Sequence, residues 1–231
     1  MRFLTLGWIA VACGPAAAQS PIFLRPQYRV GDSPLAVVAA DFDGDGRADV
    51  ATANALTSDV SVLLTHGGSL GAAESHAVDA SPVAIVAIDV ELDGDLDLVT
   101  ASSVASTVSV LLGDGAGHFA PATSFPSAAL PSALAAGDLD GDGHADVVTA
   151  DGGGAGTVSK LRGIGGGAFG PAAVVATFPP PYPSYVADVA LVDLDDDGAL
   201  DLLVAHAELA RLLGDGHGSF GPPLSVALAQ T

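Results

Sequence analysis

A nine-residue acidic pattern occurs four times in this chain: "DFDGDGRAD" from 41, "DVELDGDLD" from 89, "DLDGDGHAD" from 138 and "DLDDDGALD" from 193. The copies begin 48, 49 and 55 residues apart. A repeat of this length restricts the chain more than composition does. Each unit must be one supersecondary element that buries its faces against the next.

The remainder of each unit is in register with the acidic segment. Upstream stand "SPLAVVAA", "SPVAIVAI", "PSALAAG" and "PSYVADVALV"; downstream stand "DVATA", "DLVTA", "DVVTA" and "DLLVA". Then come "VSVLLTHGG", "VSVLLGDGAGHF", "VSKLRGIGGGAF" and "ARLLGDGHGSF", and each unit closes on a short run such as "ESHAV" or "ATSF". Runs of Val, Leu, Ile and Thr between Gly, Pro and Asp read as strands, and no segment sustains a helical period. Four short antiparallel strands per unit, repeated radially, predict an all-β fold: a β-propeller of four blades of about 50 residues. A linear β-solenoid is the competing arrangement, but its coils are generally shorter. The repeats run over about 31–80, 81–130, 131–183 and 184–231, within a single domain from 19 to 231. Residues 22–30 are expected to form an extra N-terminal strand. Four blades and one spare strand leave closure open, and exposed blade edges invite self-association.

Composition narrows the function. The chain has 231 residues, 49% of them hydrophobic, enough to fill a core. Acids outnumber bases 27 to 7, and the net charge of −20 excludes nucleic acid and anionic membranes as partners. Eighteen of the 27 acids lie in the four repeated segments. The opening "MRFLTLGWIAVACGPAAAQS" has a basic start, an apolar run and small residues at Ala16–Ala18. That is the pattern of a signal peptide over 1–18, so the protein is expected to be secreted or periplasmic. Anchoring through an acylated Cys13 is the minor alternative. Cys13 is the only cysteine, so the mature chain is expected to lack disulfides and to need another staple. The apolar run is too short to span a membrane.

Counting from Asp41, carboxylates fall at positions 1, 3, 5 and 9 of the segment, with a glycine at position 6. A curled loop turns alternate side chains toward one centre, and a carbonyl at position 7 completes an oxygen shell. Hard, carboxylate-rich coordination suits Ca²⁺ better than Mg²⁺, and the absence of clustered thiols or imidazoles excludes softer metals. An EF-hand does not fit, because position 12 is Thr52, Thr100, Thr149 or Val204 rather than Glu. The second loop is expected to be the weakest, with Glu91 at position 3 and Leu92 where the first and third loops have Gly44 and Gly141.

The pattern D-x-D-x-D-G-x-x-D between strands, followed by "LLGDGxGxFxxP", resembles the FG-GAP/VCBS repeat of integrin α-subunit propellers. Phe119, Phe169 and Phe220 carry the aromatic turn, whereas the first unit has Leu70 there. The resemblance covers residues 31–231. It implies one structural Ca²⁺ per blade, up to four, held in a loop between the first two strands. The side-chain ligands would be Asp41, Asp43, Asp45 and Asp49; Asp89, Glu91, Asp93 and Asp97; Asp138, Asp140, Asp142 and Asp146; and Asp193, Asp195, Asp197 and Asp201. Position 7 is Arg47, Asp95, His144 and Ala199.

No nucleophile motif or phosphate loop appears, and the six histidines occupy different places in their repeats. The functional expectation is an extracellular module recognising a protein or glycan ligand. The alternative is a propeller-based hydrolase or lyase, or an accessory domain of one. The insertion "FPPPYPSY" (178–185) is a candidate ligand contact or a rigid connection between blades.

Overall fold

The computed structural model describes residues 28–152, 156–178, 186–206 and 208–226. The segment 1–18 expected to be a signal peptide, most of the N-terminal strand expected at 22–30, and 179–185 of the proline-rich insertion lie outside these residues. The described residues are all-β, without α-helix, and no helix is long and apolar enough to cross a membrane.

The first unit contains β1 (Pro34–Ala40), β2 (Asp49–Asn54), β3 (Asp59–Leu63), a small hairpin β4 (Thr65–His66) and β5 (Ser69–Leu70), and β6 (Glu74–Ala77). The second contains β7 (Pro82–Ile88), β8 (Asp97–Ser102), β9 (Thr107–Leu111) and β10 (Thr123–Pro126). The third contains β11 (Pro131–Gly137), β12 (Asp146–Asp151), β13 (Thr157–Leu161) and β14 (Ala173–Thr177). The fourth contains β15 (Asp188–Val192), β16 (Asp201–Ala205), β17 (Leu209–Leu212) and β18 (Leu224–Ser225). Each unit is one four-stranded antiparallel sheet in sequence order, β1-β2-β3-β6 in the first. The first three begin on proline, with a register break two residues later. Proline is tolerated there because it opens the strand and donates nothing to the ladder.

The sheets stack face to face in series. Ala51, Ala53, Val60 and Val62 of the first pack on Ile85, Leu98 and Leu111 of the second. Val99, Ala101, Val108 and Val110 of the second pack on Leu134, Val147 and Leu161 of the third. Val148, Ala150 and Val158 of the third pack on Val189, Leu202 and Val204 of the fourth. Strands β8 and β12 are thus buried on both sides, which explains why they read as apolar runs instead of alternating ones. The first strands carry the stack, β7 lying against β1, β11 against β7 and β15 against β11. No comparable packing joins β1 to β15 among the described residues, so the series is propeller-like in its sheets and open at its two ends.

Phe119, Phe169 and Phe220 each close a turn by bridging Gly113, Gly163 and Gly214. In the first unit, where Leu70 replaces the phenylalanine, the same turn is the β4–β5 hairpin, with Thr65 opposite Leu70.

Candidate metal centres

The four acidic segments connect the first strand of each sheet to the second. Their side chains fold each loop on itself in the same way. The carboxylate at position 1 accepts the amide of the position-6 glycine: Gly46 to Asp41, Gly94 to Asp89, Gly143 to Asp138 and Gly198 to Asp193, at 2.8–2.9 Å. The carboxylate at position 5 accepts the position-7 amide: Arg47 to Asp45, Asp95 to Asp93, His144 to Asp142 and Ala199 to Asp197, at 2.8–2.9 Å. The position-6 glycines have φ of 84–95°, a conformation open to Gly at no steric cost.

These turns bring carboxylate oxygens together. In the third loop oxygens of Asp138, Asp140 and Asp142 lie within 4.8 Å of one another, as do those of Asp193, Asp195 and Asp197 in the fourth. In the first loop Asp41, Asp43 and Asp49 do so, and Asp43 and Asp45 also meet His66 of the β4–β5 hairpin. A Ca–O distance of about 2.4 Å places oxygens on opposite sides of an ion about 4.8 Å apart, so these groups can hold a metal ion of that size. His66 is one of the six histidines whose places differ between repeats. The shortened first-unit turn carries it to the loop, a placement that spacing did not indicate.

The aspartates at position 9 have a second role that spacing did not reveal. Asp49, Asp97, Asp146 and Asp201 are fully buried at the start of the second strand. One oxygen of each accepts the position-2 amide, from Phe42, Val90, Leu139 or Leu194, at 2.8–3.3 Å. The other accepts an amide just beyond the third strand, from Thr65, Gly113, Gly163 or Gly214, at 2.6–2.8 Å. Each aspartate therefore ties the base of its loop to a turn 13–17 residues away. Only in the first loop does it also join the cluster of three.

Lost hydration, with crowding of like charges behind it, raises several of these carboxyls. Lost hydration first, then Asp93, Asp97 and Asp89, push Glu91 upward. Burial raises Asp97 and Asp146 despite their amide donors. Lost hydration and the neighbouring Asp197 and Asp201 raise Asp195. Asp140 goes the other way. Lost hydration would raise it, but the Arg162 guanidinium, bonded through Nε at 2.5 Å, lowers it overall.

Arg162 marks a difference between loops. It bridges Asp140 and, through Nη2 at 2.8 Å, Asp142, where the other units have Leu64, Leu112 and Leu213. Arg47 pairs with Asp45 at 2.7 Å in the first loop. Arg162 thus occupies oxygens that a cation would use. Arg162→Leu is expected to tighten calcium at the third site by up to roughly fivefold, the modest effect of losing an exposed, solvent-screened ion pair. Calorimetric titration checks this, and unchanged or weaker binding contradicts it.

The second loop is the one without a cluster of three among the described residues. Its Leu92 sits at φ 65°, where Gly44 and Gly141 have 70° and 75°. Left-handed backbone costs an ordinary side chain about 1–2 kcal/mol. Leu92→Gly is expected to relieve that strain and strengthen the weakest calcium step; a titration unchanged from wild type opposes this ranking.

Outside the loops, Asp114 and Asp215 are explained by backbone geometry. Asp114 accepts the amides of Ala116 and His118, and Asp215 those of His217 and Ser219. These bonds hold both carboxyls below the usual range. Buried Asp151 is satisfied by the hydroxyls of Thr149, Thr157 and Ser159.

A family model for the FG-GAP-like repeat matches residues 41–100 and 89–149. No curated protein sequence matches the chain. Among solved structures, the chain is similar to that of an Agrocybe aegerita lectin described as recognising non-reducing terminal N-acetylglucosamine. That match has a TM-score of 0.58 at 22% identity and covers 81% of this chain and 50% of the lectin chain. It is also similar to BBS1N in its complex with ARL6DN (TM-score 0.55, 14% identity, 89% of this chain and 58% of that one). Kuenenia stuttgartiensis hydrazine synthase matches with a TM-score of 0.53 at 12% identity, over 90% of this chain and 53% of that one. The chain therefore spans about half the length of the solved structures it matches, and at these identities the likeness concerns the fold. Two family matches over residues 41–149, on sheets and loops that recur in register beyond them, make this chain an FG-GAP-repeat protein.

Proposed function

We propose that this protein is a secreted recognition module of β-propeller type, stabilised by Ca²⁺ in its four acidic loops, that binds an extracellular protein or glycan. The observation that carries this reading is the recurrence of one loop geometry at the same place in four sheets. A catalytic centre is normally built once from unlike residues, whereas four equivalent acidic loops suit repeated structural support. Asp41, Asp43, Asp45 and Asp49 and their counterparts would hold the ions, which supply the positive charge that the crowded carboxylates lack. Four divalent ions would offset eight negative charges. The lectin among the structural neighbours makes a glycan the first ligand class to test.

The experiment is a glycan array and an extracellular-protein binding screen with the calcium-loaded protein, repeated in chelator. The expected result is a ligand retained in calcium and lost in chelator. Absence of any retained ligand, or retention indifferent to calcium, contradicts the reading.

A further inference from the structure

Three of the four sheets have a successor packed on their outgoing face, and among the described residues the fourth does not. The residue that each first strand places on the preceding sheet is Ile85, Leu134 or Val189, exposed by 7%, 7% and 6%. Its counterpart in the first sheet, Val37, is 66% exposed, and Leu35 beside it is exposed as well. At the other end, Leu203 and Ala205 of β16 and Leu209 of β17 stand where Val148, Ala150 and Val158 are fully buried in the third sheet. They line a shallow depression of about 170 Å³ with Ala190 and Asp188.

The acidic loops tell the same story. The position-2 residues Phe42, Val90 and Leu139 are 2–3% exposed, whereas Leu194 is 39% exposed. In the first and third loops that position lies under a turn of the following sheet: Gly117 donates to the Phe42 carbonyl at 3.0 Å, and Gly218 to that of Leu139 at 2.8 Å. Lys160, on the outgoing face of the third sheet, reaches the Gly218 carbonyl at 2.6 Å. Arg211 holds the register position of Lys160 in the fourth sheet.

We infer that the outgoing face of the fourth sheet receives β1 of a second copy of this chain, and that two copies close head to tail into one ring. The chain carries both halves of a contact that it already makes three times internally, so the template for the occupant is its own sheet junction. Val37 of one copy enters the depression at Leu203 of the other. The β4–β5 hairpin covers Leu194, and Arg211 reaches its glycine carbonyls. Both open ends are satisfied at once in a closed pair, whereas a contact that failed to close would propagate. On the first sheet, Ser61 and Leu63 are already buried, Ser61 accepting the Gly31 amide at 3.1 Å. The contact is therefore assigned to β1 and the hairpin, not to β2 and β3.

The test is sedimentation of the purified protein in calcium at physiological salt, over a concentration series, for wild type, Val37→Lys, Leu203→Asp and an equimolar mixture of the two variants. Wild type is expected at twice the chain mass, and each variant alone at the monomer mass with an unchanged circular dichroism spectrum. The mixture should return to the dimer, because one of its interfaces is native and the other pairs Lys with Asp. A monomeric wild type, as when the chain's own residues 1–27 cover the face, overturns the inference. So do a ladder of masses above the dimer, variants that dimerise like wild type, and a mixture that stays monomeric.

Discussion

Asp97→Ala is expected to destabilise the protein by about 2–5 kcal/mol even in chelator, where calcium plays no part. The substitution orphans the buried amide of Val90 and the half-buried one of Gly113, and an unsatisfied buried donor costs about 1–3 kcal/mol. Asp97→Asn keeps one acceptor of the two and should fall between. Chemical denaturation in chelator is the measurement. A variant equal to wild type there would mean that the aspartate acts only as a metal ligand and that the loop base holds without it.

Calcium is expected to raise the unfolding midpoint substantially. Extracellular calcium modules bind at about 10⁻⁴ to 10⁻³ M, so about 10 mM calcium adds roughly 1.4–2.7 kcal/mol per occupied site. At about 2–4 °C per kcal/mol for a chain of this size, that is roughly 3–10 °C per site. Mg²⁺ at equal concentration should give much less, because it dehydrates reluctantly and demands stricter geometry. The response to pH should reverse with the ion. Glu91, Asp97, Asp146 and Asp195 have native pKa values raised above their unfolded ones. The native state therefore binds more protons than the unfolded state in that window, so apo stability rises as pH falls toward the ordinary carboxylate pKa near 4. Asp59, Asp114, Asp140 and Asp215 are lowered and act only below that range. In calcium the sign is opposite, since protons then displace the ion. Thermal scans between pH 7 and 5, with chelator and with calcium, check both signs; parallel curves contradict the account.

The strands and the acidic loops were legible because their signals are local. Alternate Asp at positions 1, 3 and 5 with Gly at 6 constrains a loop by itself, and the paired β-rich runs flank it at fixed distances. The left-handed turn at position 4 could be anticipated from Gly44 and Gly141, and the backbone angle of Leu92 bears that out. What sequence did not reveal depends on partners brought in by the fold. The base-tying role of Asp49, Asp97, Asp146 and Asp201 rests on amides beyond the third strand, and the pattern alone treated them as ligands. His66 comes to the first loop because its hairpin is one residue shorter than the phenylalanine turns. Arg162 did leave a trace, as "VSKLRG" against "VSVLLG", but only the register of β13 turns that substitution into a contact with Asp140. The open ends of the stack carry no composition signal, since Val37 and Leu203 look like core residues in any alignment of the repeats.

The central claim is that the four loops hold calcium. Equilibrium dialysis of the purified, demetallated protein against radioactive ⁴⁵Ca at millimolar concentration, in the presence of equal magnesium, tests it most directly. The account predicts saturable uptake approaching one ion per loop, four per chain, with the Asp138→Asn/Asp140→Asn/Asp142→Asn variant losing a single ion. Uptake that never saturates, or wild type and variant binding the same small amount, would contradict it.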